Sequence, residues 1–245
     1  MVGGLFRRLS AYLLLLLLCQ AVYAYQLSPL SVTYEPIGSK SAAVYTIVND
    51  SDNPIAVQFR AAKRSIDIYG TEYNDDASAY FSIQPAKMII RPQSSQLVRV
   101  QYRGPRTVTK ELSFRLISEQ ISYSPGAKEK TEGQMLSFLF VYSTSAYVRP
   151  SRIVERVSSS ASIADGKIVI KLDNEGSVHQ LLNEPEIRLT GDDGSVYTLS
   201  EEQLLPISGK NLLVDSSLVL EIEIPPELRN AREIAVSHSY TYRYE

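Results

Sequence analysis

Residues 134–150 read Gln-Met-Leu-Ser-Phe-Leu-Phe-Val-Tyr-Ser-Thr-Ser-Ala-Tyr-Val-Arg-Pro. The run has no glycine, no charge before Arg149, and many aromatic and aliphatic side chains, which is the composition of a long strand. Alternation along a strand sets Leu136, Phe138, Phe140 and Tyr142 on one side, and Met135, Ser137, Leu139, Val141 and Ser143 on the other. Both faces of the first half are therefore largely apolar. One face can serve the chain's own core, and the other needs a second apolar surface to cover it. Two readings stay open: a central sandwich strand buried on both sides, or a strand that lends its second face to another protein.

Upstream of this run the pattern is almost all strand. Ser41–Val48 is β-rich and stops at Asn49-Asp-Ser-Asp-Asn-Pro54, a turn signal, after which Ile55–Ala61 alternates as the returning strand. Ser65–Ala79 is polar and reads as a loop. Phe81–Pro85, Met88–Pro92, Gln96–Tyr102 and Glu111–Ile121 continue the strands, and Ser122–Gly133, with its charge run, reads as a surface loop. Downstream of Arg149-Pro150 the pattern restarts. Ser158–Asp165 is polar, Lys167–Leu172 alternates, Asp173-Asn-Glu-Gly is a turn, and short strands follow to Ser239–Tyr244. Short strands between turn signals, without an amphipathic helix, predict an all-β fold of antiparallel sandwiches. The division expected is residues 25–150 as one domain and 151–245 as a smaller β-sandwich.

Residues 1–24 have a basic start (Arg7, Arg8), the apolar run Ala11–Leu18 and a close in Ala21-Val-Tyr-Ala24. That run is short for a membrane span and ends as a cleavable secretory signal does, so Tyr25 is the expected first residue after cleavage. Cys19 is the one cysteine, so the exported part can form no internal disulfide. The formal charge of −2 becomes −4 when the two arginines of the leader are removed, because residues 1–24 hold no acid. This weak acidity argues against nucleic acid, whose phosphates call for a basic patch. No later run is apolar enough to predict membrane embedding.

The order of Asn49, Phe81-Ser-Ile-Gln-Pro85, Ile90-Arg-Pro92, Gln96-Leu-Val-Arg99, Glu111 and Tyr147-Val-Arg-Pro150 resembles the PapD-like periplasmic pilus chaperones. The resemblance covers most of residues 25–245 and is strongest over 81–150. It implies two immunoglobulin-like domains set in a boomerang, with pilin or fimbrial subunits and an outer-membrane usher as partners. In that family the last strand of the first domain fills the gap in a subunit that lacks one strand. The matching positions here are Leu136, Phe138 and Phe140, with Tyr142 next in the row. Ladder hydrogen bonds would supply affinity and alternate side chains specificity. Each buried Leu or Phe would contribute roughly 1.5–3 kcal/mol. Covering the subunit's open edge would also block premature polymerisation. Arg99 and Glu111 match a charged pair that in the family braces the two domains.

One departure is informative. Family members anchor the subunit's C-terminal carboxylate with an Arg on the first strand and a Lys on the last strand of domain one, and those positions here are Thr33 and Ser145. Arg149 and Arg91 are the candidate replacement cations. No catalytic motif or phosphate loop occurs, and His179 and His238 lack ligand neighbours at metal-binding spacing, so neither an enzyme, a cofactor nor a metal is expected. The competing reading is an exported structural or adhesive β-sandwich without chaperone activity.

Overall fold

The computed structural model describes residues 25–123 and 138–241. The first part of the chain forms β1 (Gln26–Ser28), β2 (Ser31–Tyr34), β3 (Ala42–Asn49), β4 (Ile55–Ile66), β5 (Glu72–Asp76), β6 (Phe81–Gln84), β7 (Lys87–Ile90), β8 (Ser94–Tyr102), β9 (Leu112–Ile121) and β10 (Val141–Val148). The second part forms β11 (Val157–Ala164), β12 (Lys167–Asn174), β13 (Gln180–Leu181), β14 (Asn183–Gly191), β15 (Val196–Thr198), β16 (Asn211–Leu212), β17 (Ser217–Glu223) and β18 (Ile234–Thr241). One helical turn, α1 (Glu201–Leu204), starts at Ser200, whose side chain and that of Gln203 make a reciprocal capping box.

Two sheets enclose the first core. One has the order β1-β3-β8-β6; the other runs β2-β10-β9-β4-β5, with β7 pairing the start of β4. Their inward rows meet in a cluster rich in rings, including Tyr34, Tyr45, Phe59, Phe81, Tyr102 and Phe114. The second core lies between β11-β12-β17 and β15-β14-β18 and is built from Ile and Leu, with Ile170, Leu182 and Leu189 fully buried. In each unit a buried asparagine ends a strand and clips the following loop. Asn49 Nδ2 donates to the carbonyls of Asn53 (2.8 Å) and Arg91 (3.1 Å) while its Oδ1 accepts from Ser51. Asn174 Nδ2 donates to Val178 (2.9 Å) and Leu212 (3.0 Å), and its Oδ1 accepts from the Gly176 amide. An amide side chain copies the backbone's own donor and acceptor, so it closes a turn that the ladder cannot.

Two polar stretches differ from their sequence reading. Residues 72–76, expected within a loop, form β5, which pairs antiparallel with the end of β4. Residues 157–164, nearly all within the stretch 158–165 read as polar, form β11 on β12. Both are edge strands whose outer surface meets water, so serine and carboxylate side chains do not oppose strand formation there. The apolar alternation that flags a half-buried strand is missing for the same reason. The leader at 1–24 and the surface loop at 124–133 lie outside the described residues.

Candidate functional site

β10 is paired along its whole length by β9 on one side, antiparallel. On its other side β2 pairs only Ser145–Val148, in parallel, and the Ser145 amide donates to the Leu30 carbonyl at 2.9 Å. Among the described residues the edge of Val141–Thr144 therefore carries no partner strand. Unpaired ladder groups on such an edge are a template for strand addition.

The side chains of β10 divide as alternation requires. Val148, Ala146 and Thr144 are buried, Tyr142 and Phe140 are half-buried against the ring-rich core, and Phe138 is 57% exposed. One row thus leads from the interior of the first sandwich out past its end. Tyr142 stacks edge-on against Tyr25 at 4.8 Å and its hydroxyl donates to the Tyr25 carbonyl. Leu136, the fourth member of the expected row, lies outside the described residues. On the opposite face Leu139 and Val141 are exposed, a feature the choice of a single row had set aside.

The junction between the two units is built on Glu111, whose side chain is fully buried. Its Oε2 accepts from Arg149 Nε at 3.0 Å, its Oε1 lies 2.6 Å from His179 Nδ1, and its backbone amide donates to the Ser177 carbonyl at 2.9 Å. The His179 ring stacks on Tyr147 at 3.9 Å, and the Tyr147 hydroxyl accepts from Asn211 Nδ2 at 2.7 Å. Arg99, expected as the partner of Glu111, is exposed on β8 opposite Val44 and Gln84. The pair therefore forms with Arg149, because Arg99 belongs to the other sheet and Arg149 leaves β10 beside β9. A buried carboxylate needs its charge matched and its lone pairs filled, and two cationic-capable partners do both. His179, without a metal-ligand neighbour in sequence, finds its role only through this fold.

The expected replacement cations are also placed elsewhere. Arg149 is committed to Glu111, and Arg91 is exposed beyond β7, which pairs the opposite end of β4 from the stretch beside Ser145. The cations that the outward face of the sheet brings to Ser145 are Arg115, directly opposite it on β9, and Arg64 on β4. Arg115 Nη1 donates to Ser145 Oγ at 2.7 Å, while its Nε and Nη2 grip both oxygens of Glu72 at 2.7 and 2.6 Å. Arg64 Nε donates to Glu72 Oε2 at 2.7 Å and its Nη1 to the Tyr147 hydroxyl at 3.2 Å. Partial burial pushes the Glu72 carboxyl up, but hydrogen bonds from Arg115 and Asn74 and the charges of both arginines outweigh it, so it is lowered to about 2. Sequence reading missed this cluster because its members are scattered over three strands, one of them read as loop.

Among the described residues no group of three or more His, Cys, Asp or Glu side chains could hold a metal, and no helix is long and apolar enough to cross a membrane. The whole is a strand-edge and charge site set in a two-layer β scaffold.

Residues 25–154 match the family described as pili and flagellar-assembly chaperone, PapD N-terminal domain; that is more than half of the chain, and the chain belongs to this family. Among solved structures it is similar to the class 5 fimbriae chaperone CfaA, at 14% identity and a TM-score of 0.57, over 89% of this chain and 100% of that one. It is also similar to a chain of the CsuC–CsuE chaperone–tip adhesion subunit pre-assembly complex of Acinetobacter baumannii, at 16% identity and a TM-score of 0.55, over 82% and 91%. A third likeness is to the Salmonella enterica SafA pilin–SafB chaperone complex, at 14% identity and a TM-score of 0.54, over 91% and 99%. At these identities the likeness carries the all-β sandwich fold. No curated protein matches the chain.

Proposed function

We propose that this chain is a periplasmic chaperone for pilin or fimbrial subunits, and that it binds a subunit by lending it residues 136–142 as a missing strand. In this reading residues 1–24 are a leader removed on export, 25–150 and 151–245 are two domains, and the loaded chaperone delivers its subunit to an outer-membrane usher. The observation that carries the reading is the gradient of burial along one row, from Val148 and Ala146 in the core to the exposed Phe138. A row that runs out of its own core while the neighbouring edge stays unpaired can continue into the core of a second sandwich. Family membership and the pilin complex among the similar structures support the same conclusion.

The test is co-expression with a pilin subunit whose sandwich lacks a strand, comparing the unaltered chain with Phe138→Asp, whose ring is exposed. A one-to-one complex that is lost in the variant, with its melting little changed, is the expected result. A complex that survives the substitution, or no complex with the unaltered chain, would favour an exported structural or adhesive sandwich instead.

A further inference from the structure

The second unit carries a groove of about 520 Å³ beside the first half of β14, and none of its lining residues belongs to the first unit. β15 pairs only Arg188–Thr190 of β14, and the Leu199 amide closes that pairing on the Ile187 carbonyl at 3.0 Å. Among the described residues no strand lies beside Glu184–Glu186 on that side. The facing wall is α1, which the capping box of Ser200 and Gln203 holds in place. Leu199 and Leu204 are buried in the floor, and Leu205, 68% exposed, stands at the rim.

The mouth of this groove is acidic. Glu184, Glu186 and Glu201 line it, and no lysine or arginine does. Among the described residues none of the three forms an ion pair. Glu184 Oε2 accepts from Thr241 Oγ1 at 3.0 Å and Glu186 Oε2 from Ser239 Oγ at 3.2 Å, neutral donors that leave the charge uncompensated. The carboxylates are spread rather than convergent, since no group of three acidic, His or Cys side chains among the described residues could hold a metal. Negative charge spread along an apolar floor suits an extended cationic body with apolar side chains, and it repels nucleic acid and anionic lipid. The backbone disfavours one more strand. Glu184 lies in the left-handed region at φ 46°, the register shifts between Asn183 and Glu186, and Pro185 has no N–H to give to a ladder. An occupant is therefore held by its side chains.

We propose that this groove docks a segment of a partner protein that presents apolar side chains between two lysines or arginines. The apolar side chains cover Leu199, Leu204 and Leu205, and the cations reach Glu184 and Glu186 on one wall and Glu201 on the other. Apolar contact supplies the affinity, and the unpaired carboxylates select the sign of the partner's charge. The groove shares no residue with β10, so the proposal stands or falls independently of strand addition.

The test titrates residues 25–245 with the peptide acetyl-Ser-Arg-Leu-Leu-Arg-Ser-amide and follows the methyl resonances of Leu199, Leu204 and Leu205. Three controls separate the sources of binding: the peptide with glutamates for its arginines, the peptide with glycines for its leucines, and spermidine, which carries charge without an apolar body. The parent peptide is expected to shift all three leucines and to bind about tenfold more tightly than either altered peptide. Glu184→Gln/Glu186→Gln/Glu201→Gln, confined to exposed side chains, should weaken it about tenfold and flatten its salt dependence. Leu205→Ser should weaken it and leave the salt dependence intact. Equal affinity for the arginine and glutamate peptides, unchanged binding by the triple variant, or no shift at millimolar peptide would each overturn the proposal. Three further outcomes would overturn it by naming another occupant. Spermidine shifts as large as the peptide's would mean a small cation. Self-association in sedimentation that the triple variant loses would mean a second copy. Stronger peptide binding after removal of residues 242–245, Tyr-Arg-Tyr-Glu, would mean the chain's own end.

Discussion

The two cores are built from different materials. The buried residues of the first include Tyr25, Tyr34, Tyr45, Phe59, Phe81, Tyr102 and Phe114, whereas those of the second are isoleucines and leucines, with Ala231. Phe81 is the hub of the first, with ring centroids 5.1 Å from Phe114, 5.5 Å from Tyr34 and 5.6 Å from Tyr102. Its buried tyrosines also have hydroxyls to satisfy. Tyr25 donates to the Ser118 carbonyl at 2.8 Å, and burial pushes its hydroxyl up to about 12, so it stays a neutral donor. Rings of fixed shape and hydroxyls of fixed partner specify one arrangement more sharply than aliphatic chains do. The difference shows where each core ends. The aliphatic core is closed by its own strands; the ring-rich core continues along Tyr142 and Phe140 to the exposed Phe138. In the proposed function, the unit that packs with rings is the unit that shares its core.

The strongest way to break this comparison is to empty each core in turn. Phe114→Ala should cost about 3–5 kcal/mol and Leu189→Ala about 2–5 kcal/mol in urea unfolding. The informative result is selectivity: Phe114→Ala should abolish subunit capture along with the stability of the first unit. Leu189→Ala should leave the fluorescence of the first unit's tyrosines native-like up to the onset of unfolding. Next in size is the junction. Glu111→Gln removes the charge that pairs with Arg149, and should cost about 3 kcal/mol and split one calorimetric transition into two. A single transition with unchanged midpoint would mean that Glu111 does not couple the two units.

Smaller effects sharpen the picture. Tyr25→Phe deletes the hydroxyl's bonds to the Ser118 carbonyl and to Ser118 Oγ, at about 0.5–1.5 kcal/mol for each. The Glu72 cluster gives a pH signature. Its carboxyl is lowered from 4.5 to about 2 in the folded chain, so it adds stability that is present above the ordinary value and lost as pH falls through the window between them. Urea midpoints of the unaltered chain and Glu72→Gln should therefore differ at pH 6 and converge toward pH 2, apart from effects common to both. The smallest change in stability is expected for Phe138→Asp, within about 0.5 kcal/mol, because the ring is already exposed. Its effect on subunit binding should be the opposite of small. That contrast separates a row used for packing from a row used for exchange.

Much of the architecture was readable from residue order. Alternation marked the central strands, Asn49 and the Asp173–Gly176 turn marked their ends, and the restart after Pro150 marked a second core. Such features depend on neighbours a few residues away, and the backbone period of two resolves them without knowledge of the fold. The sequence also chose the strand on which the proposed function turns, and named Glu111. It could not supply the partners. That Glu111 meets Arg149 and His179 rather than Arg99 depends on which sheet each strand joins. That Arg64, Glu72 and Arg115 form one cluster beside Ser145 depends on an edge strand whose polar residues carry no periodic signal. Local pattern is written in spacing along the chain, but charge pairing is decided by distance in space, and only the assembled sheets set that distance.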